Sequence, residues 1–153
     1  MPKASTSKKA QDPVIQFSVF VENKVGRLLD LVKLFSQHNV HVVALSIVDT
    51  TDSAINRIVV DDPDTARMIF SEHAYAFSEC ALLAVEMERP EVDFKNVLTA
   101  LVQAECNVLF VYSFLIQPRG KSCLAIHVDD NDIAVSVLHQ AGFNILNQTD
   151  ISR

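Results

Sequence analysis

The sequence predicts an α+β fold made of two tandem βαββαβ units with antiparallel sheets. Three observations carry this expectation. Stretches of strand character and stretches of helical period follow the order strand, helix, strand, strand, helix, strand, and the order occurs twice. Residues recur between the halves at one separation: Asn39-Val40 returns as Asn107-Val108 (107 − 39 = 68), and Ile58, Val60, Asp61 and Asp62 return as Ile126, Val128, Asp129 and Asp130. No Gly/Ser-rich linker divides the halves, so the two units are expected to pack tightly.

The first strand is expected at Val14–Val21, where Ile15, Phe17, Val19 and Val21 share one face and Gln16 and Ser18 the other. Residues 27–37 place Leu28, Leu31, Val32 and Phe35 on one side of a helix. Val40–Val48 is apolar and rich in β-branched residues, a strand. The polar run Asp49-Thr50-Thr51-Asp52-Ser53 then turns the chain into a third strand at Ala54–Val60. Asp62-Pro63-Asp64 reads as a helix start, because Asp62 can cap, Pro63 needs no N–H at the first helical position, and Asp64 meets the positive end of the dipole. A short strand around Tyr75–Ser78 closes the unit.

The second unit repeats this with a strand at Ala81–Glu88, a helix near 94–104, a strand at Val108–Ile116, a turn at Pro118-Arg119-Gly120 and a strand at Ser122–Val128. A helix over 131–140 stops at Gly142, and a last strand covers Phe143–Gln148. The predicted division is therefore a disordered tail at 1–13, unit one at 14–79 and unit two at 80–150. A βαββαβ order puts both helices on one sheet face, the ferredoxin-like arrangement. The other face carries Gln16, Ser18 and Phe20, or Leu82, Ala84 and Glu86, and must be solvated or covered. That need for cover leads to the expectation of a homodimer.

Composition narrows the function. A chain of 153 residues can bury a core without disulfides or metal. Three widely spaced cysteines, Cys80, Cys106 and Cys123, fit a reducing cytoplasm rather than a disulfide framework. Net charge is −6, so the sequence has no electrostatic footprint for nucleic acid. No apolar run approaches a membrane span and residues 1–13 lack the apolar core of a signal peptide.

Few residues offer chemistry. The acids Asp61, Asp62, Asp64 and their copies Asp129, Asp130 and Asp132 fall where helix capping needs them, which accounts for them better than a magnesium site does. His38 and His41 straddle a helix-to-strand junction without a cluster of further ligands, so no metal is expected. No nucleotide or nucleophile fingerprint occurs, and neither a cofactor nor catalysis is expected. The phenylalanines Phe17, Phe20, Phe35, Phe70, Phe77 and Phe110 read as core or interface.

The informative stretch is Val21-Glu22-Asn23-Lys24-Val25-Gly26-Arg27-Leu28, which holds the first glycine of the chain just before a helix. Glycine there permits a positive φ and close approach of a ligand to the backbone. The helix N-terminus behind it offers N–H groups and partial positive charge to a carboxylate. A plain tight turn would explain the same residues.

With Asn23, Gly26, Leu28 and Asn39-Val40 in this order, residues 14–150 resemble a tandem pair of ACT domains, small-molecule regulatory modules of amino-acid metabolism. The second copy resembles the pattern through the stretch ending at residue 146. The resemblance implies a non-catalytic protein that binds an amino acid at Asn23, Val25, Gly26, Arg27 and Leu28, pairs as a dimer and acts on a separately encoded enzyme. The second loop, Arg89-Pro90-Glu91-Val92-Asp93-Phe94-Lys95, lacks glycine, and its acids would occupy the helix start themselves. Tyr112 and Ser113 are candidates to complete the first site. Alternatives are a regulatory subunit of acetolactate synthase and an assembly module without a ligand. An RNA-recognition domain is disfavoured, because its third strands would need aromatics that Ser53–Val60 and Ser122–Val128 lack. An acylphosphatase-like enzyme is disfavoured for want of a phosphate-cradling loop.

Overall fold

A computed structural model describes residues 12–22, 24 and 26–152. The chain runs β1 (Val14–Glu22), α1 (Arg27–Gln37), β2 (Val42–Asp49), β3 (Ser53–Val60), α2 (Pro63–Glu72), β4 (Ala76–Met87), α3 (Pro90–Gln103), β5 (Val108–Ser113), β6 (Ser122–Val128), α4 (Asn131–Gln140), β7 (Ile145–Leu146) and α5 (Gln148–Ile151). The tandem ferredoxin-like fold is present, in one antiparallel seven-stranded sheet of order β2-β3-β1-β4-β6-β5, with β7 also on β4.

The junction is tighter than the sequence suggests. The expected closing strand of unit one and opening strand of unit two are a single strand, β4. Its first part pairs with β1 from Phe20↔Ala76 to Val14↔Leu82. Its last part pairs with β6 from Leu83↔Ile126 to Met87↔Ser122, and with β7 at Ala84 and Val85. One strand thus serves both units, and an eighth strand is not needed.

The sheet curls until its outer strands meet. Ala44 and Phe114 form a bridge, and the Leu115 N–H donates to the Val43 carbonyl at 2.8 Å. Helices cover the outside. Phe17, Val19, Leu31, Phe35, Ile58, Ile69 and Phe70 pack under α1 and α2, while Leu83, Val85, Val97, Leu101, Ile126 and Leu138 pack under α3 and α4. The inner faces of the two units bury each other through Val14, Val59, Leu82, Ala84, Cys123 and Ala125. The uncovered sheet faces that motivated a dimer are therefore largely covered within one chain. Two polar contacts cross this interior. Tyr112 donates its hydroxyl to Gln16 Oε1 at 2.6 Å, and the Arg57 guanidinium lies 3.7 Å from the centre of the Phe110 ring.

The internal repeat is real but shifted. Phe17 pairs with Ile58 as Leu83 pairs with Ile126, and Val42 with Val60 as Val108 with Val128. The first two strands are related by 66 residues (83 − 17, 108 − 42), whereas the third is related by 68 (126 − 58). Two extra residues therefore lie between β5 and β6. Asn39 corresponds to Glu105, both at positive φ (58° and 55°), rather than to Asn107. A shift of two keeps every side chain on its face, which is why the apolar pattern did not expose it. Helix ends obey the same repeat: Asn39, Ala74, Glu105 and Gly142 all adopt positive φ. The residue after each donates back to a carbonyl five positions earlier, at Phe35, Phe70, Leu101 and Leu138.

Helix starts follow the acids. Asp62 and Asp130 accept from Thr65 N and Ile133 N as N-caps, and Asp129 accepts from Asn107 N at 3.0 Å. The helix expected near 94–104 begins earlier, at Pro90, because Pro90 suits its first turn and Asp93 accepts the Arg89 N–H at 2.9 Å. The last strand shrinks to two residues, and Asn147 with Asp150 forms a capping box that opens α5.

That short helix ties the chain's ends together. Asp12, assigned to the tail by sequence, accepts from Thr149 N (3.1 Å) and Thr149 Oγ1 (2.6 Å). Gln148 is buried; it accepts from Ile15 N at 3.0 Å and donates to the Val60 carbonyl at 3.1 Å. Gln148→Ala removes both bonds from a buried site and is expected to cost about 1–3 kcal/mol, read as a lower urea midpoint at unchanged m-value.

Candidate functional site

The β1–α1 loop is built around Gly26. Its φ of 89° and ψ of −8° are left-handed, a conformation that glycine adopts without a Cβ penalty. The Asp30 N–H donates to its carbonyl at 2.9 Å, the first bond of α1, the Arg27 N–H donates to the Lys24 carbonyl at 3.3 Å, and no side chain among the described residues caps this helix start. A Cβ placed on Gly26 would meet nothing within 4 Å, so the loop is open to solvent there. Arg27 is exposed and Leu28 half-buried. Asn23 and Val25, the other two residues assigned to the site, lie outside the described residues.

The loop's charges are partly engaged. Lys24 Nζ lies 2.8 Å from Glu22 Oε2, and Arg27 lies 3.8 Å from the same oxygen. The hydrogen bond from Lys24, then the charges of Lys24 and Arg27, hold the Glu22 carboxyl below its ordinary range. Two cations beside the helix start thus share one acid. The arrangement favours an added anion, because the helix end carries partial positive charge.

The loop of the second unit differs in kind. Asp93 already accepts the Arg89 N–H, and Glu91 joins it in the first turn of α3. Beside it lies a cavity of 340 Å³ lined by Glu86, Glu88, Arg89, Asp93, Asn96 and Lys121, with Ala141–Asn144 completing the wall. Lys121 pairs with Glu88 at 3.1 Å, and the buried Glu86 has Arg119 Nε at 3.5 Å. This wall mixes both charges, and its helix start carries two acids of its own, Glu91 and Asp93.

Other sequence candidates disperse. Tyr112 is turned into the interior onto Gln16, six residues along β1 from Glu22 and so roughly 20 Å away in an extended strand, and it does not complete the Gly26 loop. His38 Nδ1 contacts the Leu34 carbonyl at 3.0 Å, whereas His41 Nδ1 lies 2.8 Å from the buried Asp61. No group of three or more His, Cys, Asp or Glu among the described residues is placed to hold a metal ion. Burial, then the charge of Glu86, pushes the Cys123 thiol up to about 12, and burial raises Cys80 and Cys106 as well, so all three stay protonated thiols at neutral pH. No described helix is long and apolar enough to cross a membrane.

Arg57 is the functional candidate that sequence reasoning passed over. In β3 it reads as one solvent-facing position of an alternating strand. Its significance comes from Phe110, which only the curl of the sheet brings beneath it.

Comparison with known proteins places this geometry. Residues 13–153 match the family model of the ACT domain pair. No curated protein matches the sequence. Among solved structures, a protein from Bacteroides thetaiotaomicron superposes with a TM-score of 0.81 at 24% identity, over 92% of this chain and 96% of that one. The regulatory subunit of aspartate kinase from Thermus thermophilus, in its ligand-free form, gives a TM-score of 0.55 at 12% identity, over 85% of this chain and 92% of that one. The corresponding subunit from Thermus flavus gives 0.55 at 12% identity, over 86% and 94%. At these identities the solved structures establish a shared fold, and the family follows from the model match across nearly the whole chain. The chain belongs to the ACT domain pair family, a family of regulatory domains.

Proposed function

We propose that this chain is a non-catalytic, cytoplasmic regulatory protein that binds an amino acid at the β1–α1 loop and acts on a separately encoded enzyme of amino-acid metabolism. The observation that carries the reading is the exposed start of α1 behind the left-handed Gly26, set against the start of α3, where Glu91 and Asp93 supply negative charge of their own. In this reading the ligand carboxylate takes N–H groups at Val25–Leu28, replacing the 3.3 Å bond from the Arg27 N–H to the Lys24 carbonyl, Arg27 adds charge, and Asn23 orients the ligand. The unit boundary at Glu79/Cys80 belongs to the same reading, with β4 shared across it. So does a homodimer, whose support is now the exposed apolar residues Leu109, Val111, Leu115 and Ile116 in and just after β5.

A thermal-shift screen of the full chain against the twenty amino acids tests the proposal, because a ligand that binds only the folded state raises its melting temperature. One or a few amino acids should raise it, and calorimetry with the best of them should show weaker binding for Asn23→Ala and little change for Glu91→Ala. Equal losses would make the two loops equivalent. A chain that dimerises and answers to no amino acid would be an assembly module instead.

A further inference from the structure

Four residues in register cross the inner face of the first unit: Ser46 in β2, Arg57 in β3, Ser18 in β1 and Ser78 in β4. This face is turned away from α1. One row deeper, Gln16 is buried; one row outward, Phe20 is 45% exposed. The row therefore sits where the packed interior between the two units gives way to solvent.

Arg57 is half-buried there, and no carboxylate among the described residues comes within ion-pairing distance of it. Arg67 and Arg119, by contrast, each pair with a glutamate. One face of the Arg57 guanidinium is covered by Phe110, which stacks in turn on His127 with ring centres 4.9 Å apart. Stacking occupies the π-face and leaves the in-plane N–H donors free, the fork that matches a carboxylate. Hydroxyls flank it. Ser18 Oγ accepts from Gln16 Nε2 at 3.2 Å and keeps its own proton to donate, while the half-buried Ser46 hydroxyl makes no hydrogen bond among the described residues; Ser78, one strand further along the row, is exposed. The buried Nδ1 of His127 has no partner either.

We infer that Arg57, flanked by Ser18 and Ser46 on the two neighbouring strands and backed by Phe110, is a binding site for a small carboxylate-bearing anion, separate from the β1–α1 loop. A guanidinium serving only to clamp the two units would need the ring of Phe110, but not a hydroxyl in register on each side of it. A carboxylate supplies an acceptor to the guanidinium fork and to the two hydroxyls beside it.

The test titrates ¹⁵N-labelled full-length protein with sodium acetate and sodium succinate, against sodium chloride at matched ionic strength, following arginine Nε–H signals and melting temperature. The Arg57 signal should shift saturably with the carboxylates and not with chloride. Arg57→Met, which keeps the apolar stem over Phe110, should lose the carboxylate-dependent rise in melting temperature. Arg57→Lys and the double variant Ser18→Ala/Ser46→Ala should each weaken acetate binding by about tenfold, the loss of one charge-assisted hydrogen bond. The double variant leaves the Arg57–Phe110 contact intact, so it reports even if Arg57→Met does not fold. Gly26→Val should leave the Arg57 response unchanged. An unsaturated shift shared by Arg89 and Arg119, an equal response in Arg57→Met, or loss of the response in Gly26→Val would overturn the assignment.

Discussion

Phe70→Ala is expected to destabilise the protein by about 3–5 kcal/mol, the usual range for emptying a fully buried aromatic site. Phe70 has no exposed surface, and its ring meets four others: Phe17 at 5.2 Å, Phe35 at 5.7 Å, Tyr75 at 6.2 Å and Phe77 at 4.9 Å between centres. These come from β1, α1, the α2–β4 link and β4, so one truncation loosens every layer of the first unit. The consequence should not stop there. Losing unit one would strip β1 from β4 and expose the interior that Val14, Val59 and Ala44 share with Cys123 and Ala125. The variant should therefore unfold in a single transition, with circular dichroism and hydrogen exchange at Val97 and Leu138 reporting the same midpoint. Two transitions, with the second-unit amides outlasting the first, would show that β4 does not couple the halves.

The same shared strand shows where the sequence was legible and where it was not. Local chemistry was readable. Asp62-Pro63 announced α2, Asp130 announced α4, and Gly26 marked the one turn before α1 with a left-handed residue. Each depends on neighbours within four positions. The merging of two expected strands into β4 was not readable, since Tyr75–Ser78 and Ala81–Glu88 both carry strand character and nothing local says whether the chain bends between them. The two-residue slip in the repeat was hidden by the period of the strand itself. Least visible was the curl. It depends on Ala44 meeting Phe114 and Arg57 meeting Phe110, contacts between strands that are far apart in the chain. The cover of the inner sheet faces, and with it the original reason for a dimer, turned on those contacts.

Gly26→Val should separate binding from folding at the proposed amino-acid site. The substitution costs stability through the backbone, because a residue with a Cβ at a φ of 89° is strained by roughly 1–2 kcal/mol. It adds no clash, since the new Cβ meets nothing within 4 Å. A domain with an ordinary stability of about 5–15 kcal/mol survives that cost folded. The added side chain does, however, project into the open space beside the α1 N-terminus, where the ligand carboxylate has to come. Affinity for the amino acid found in the thermal screen should fall by at least about tenfold, as expected for losing one charge-assisted hydrogen bond or more. Gly26→Ala should fall between the two, with similar strain and a smaller obstruction. Calorimetry on both variants, alongside their urea midpoints, measures the two effects independently. An unchanged affinity in folded Gly26→Val would remove the ligand from this loop and direct it to the cavity beside α3, where Asn96 and Lys121 would be the next residues to replace.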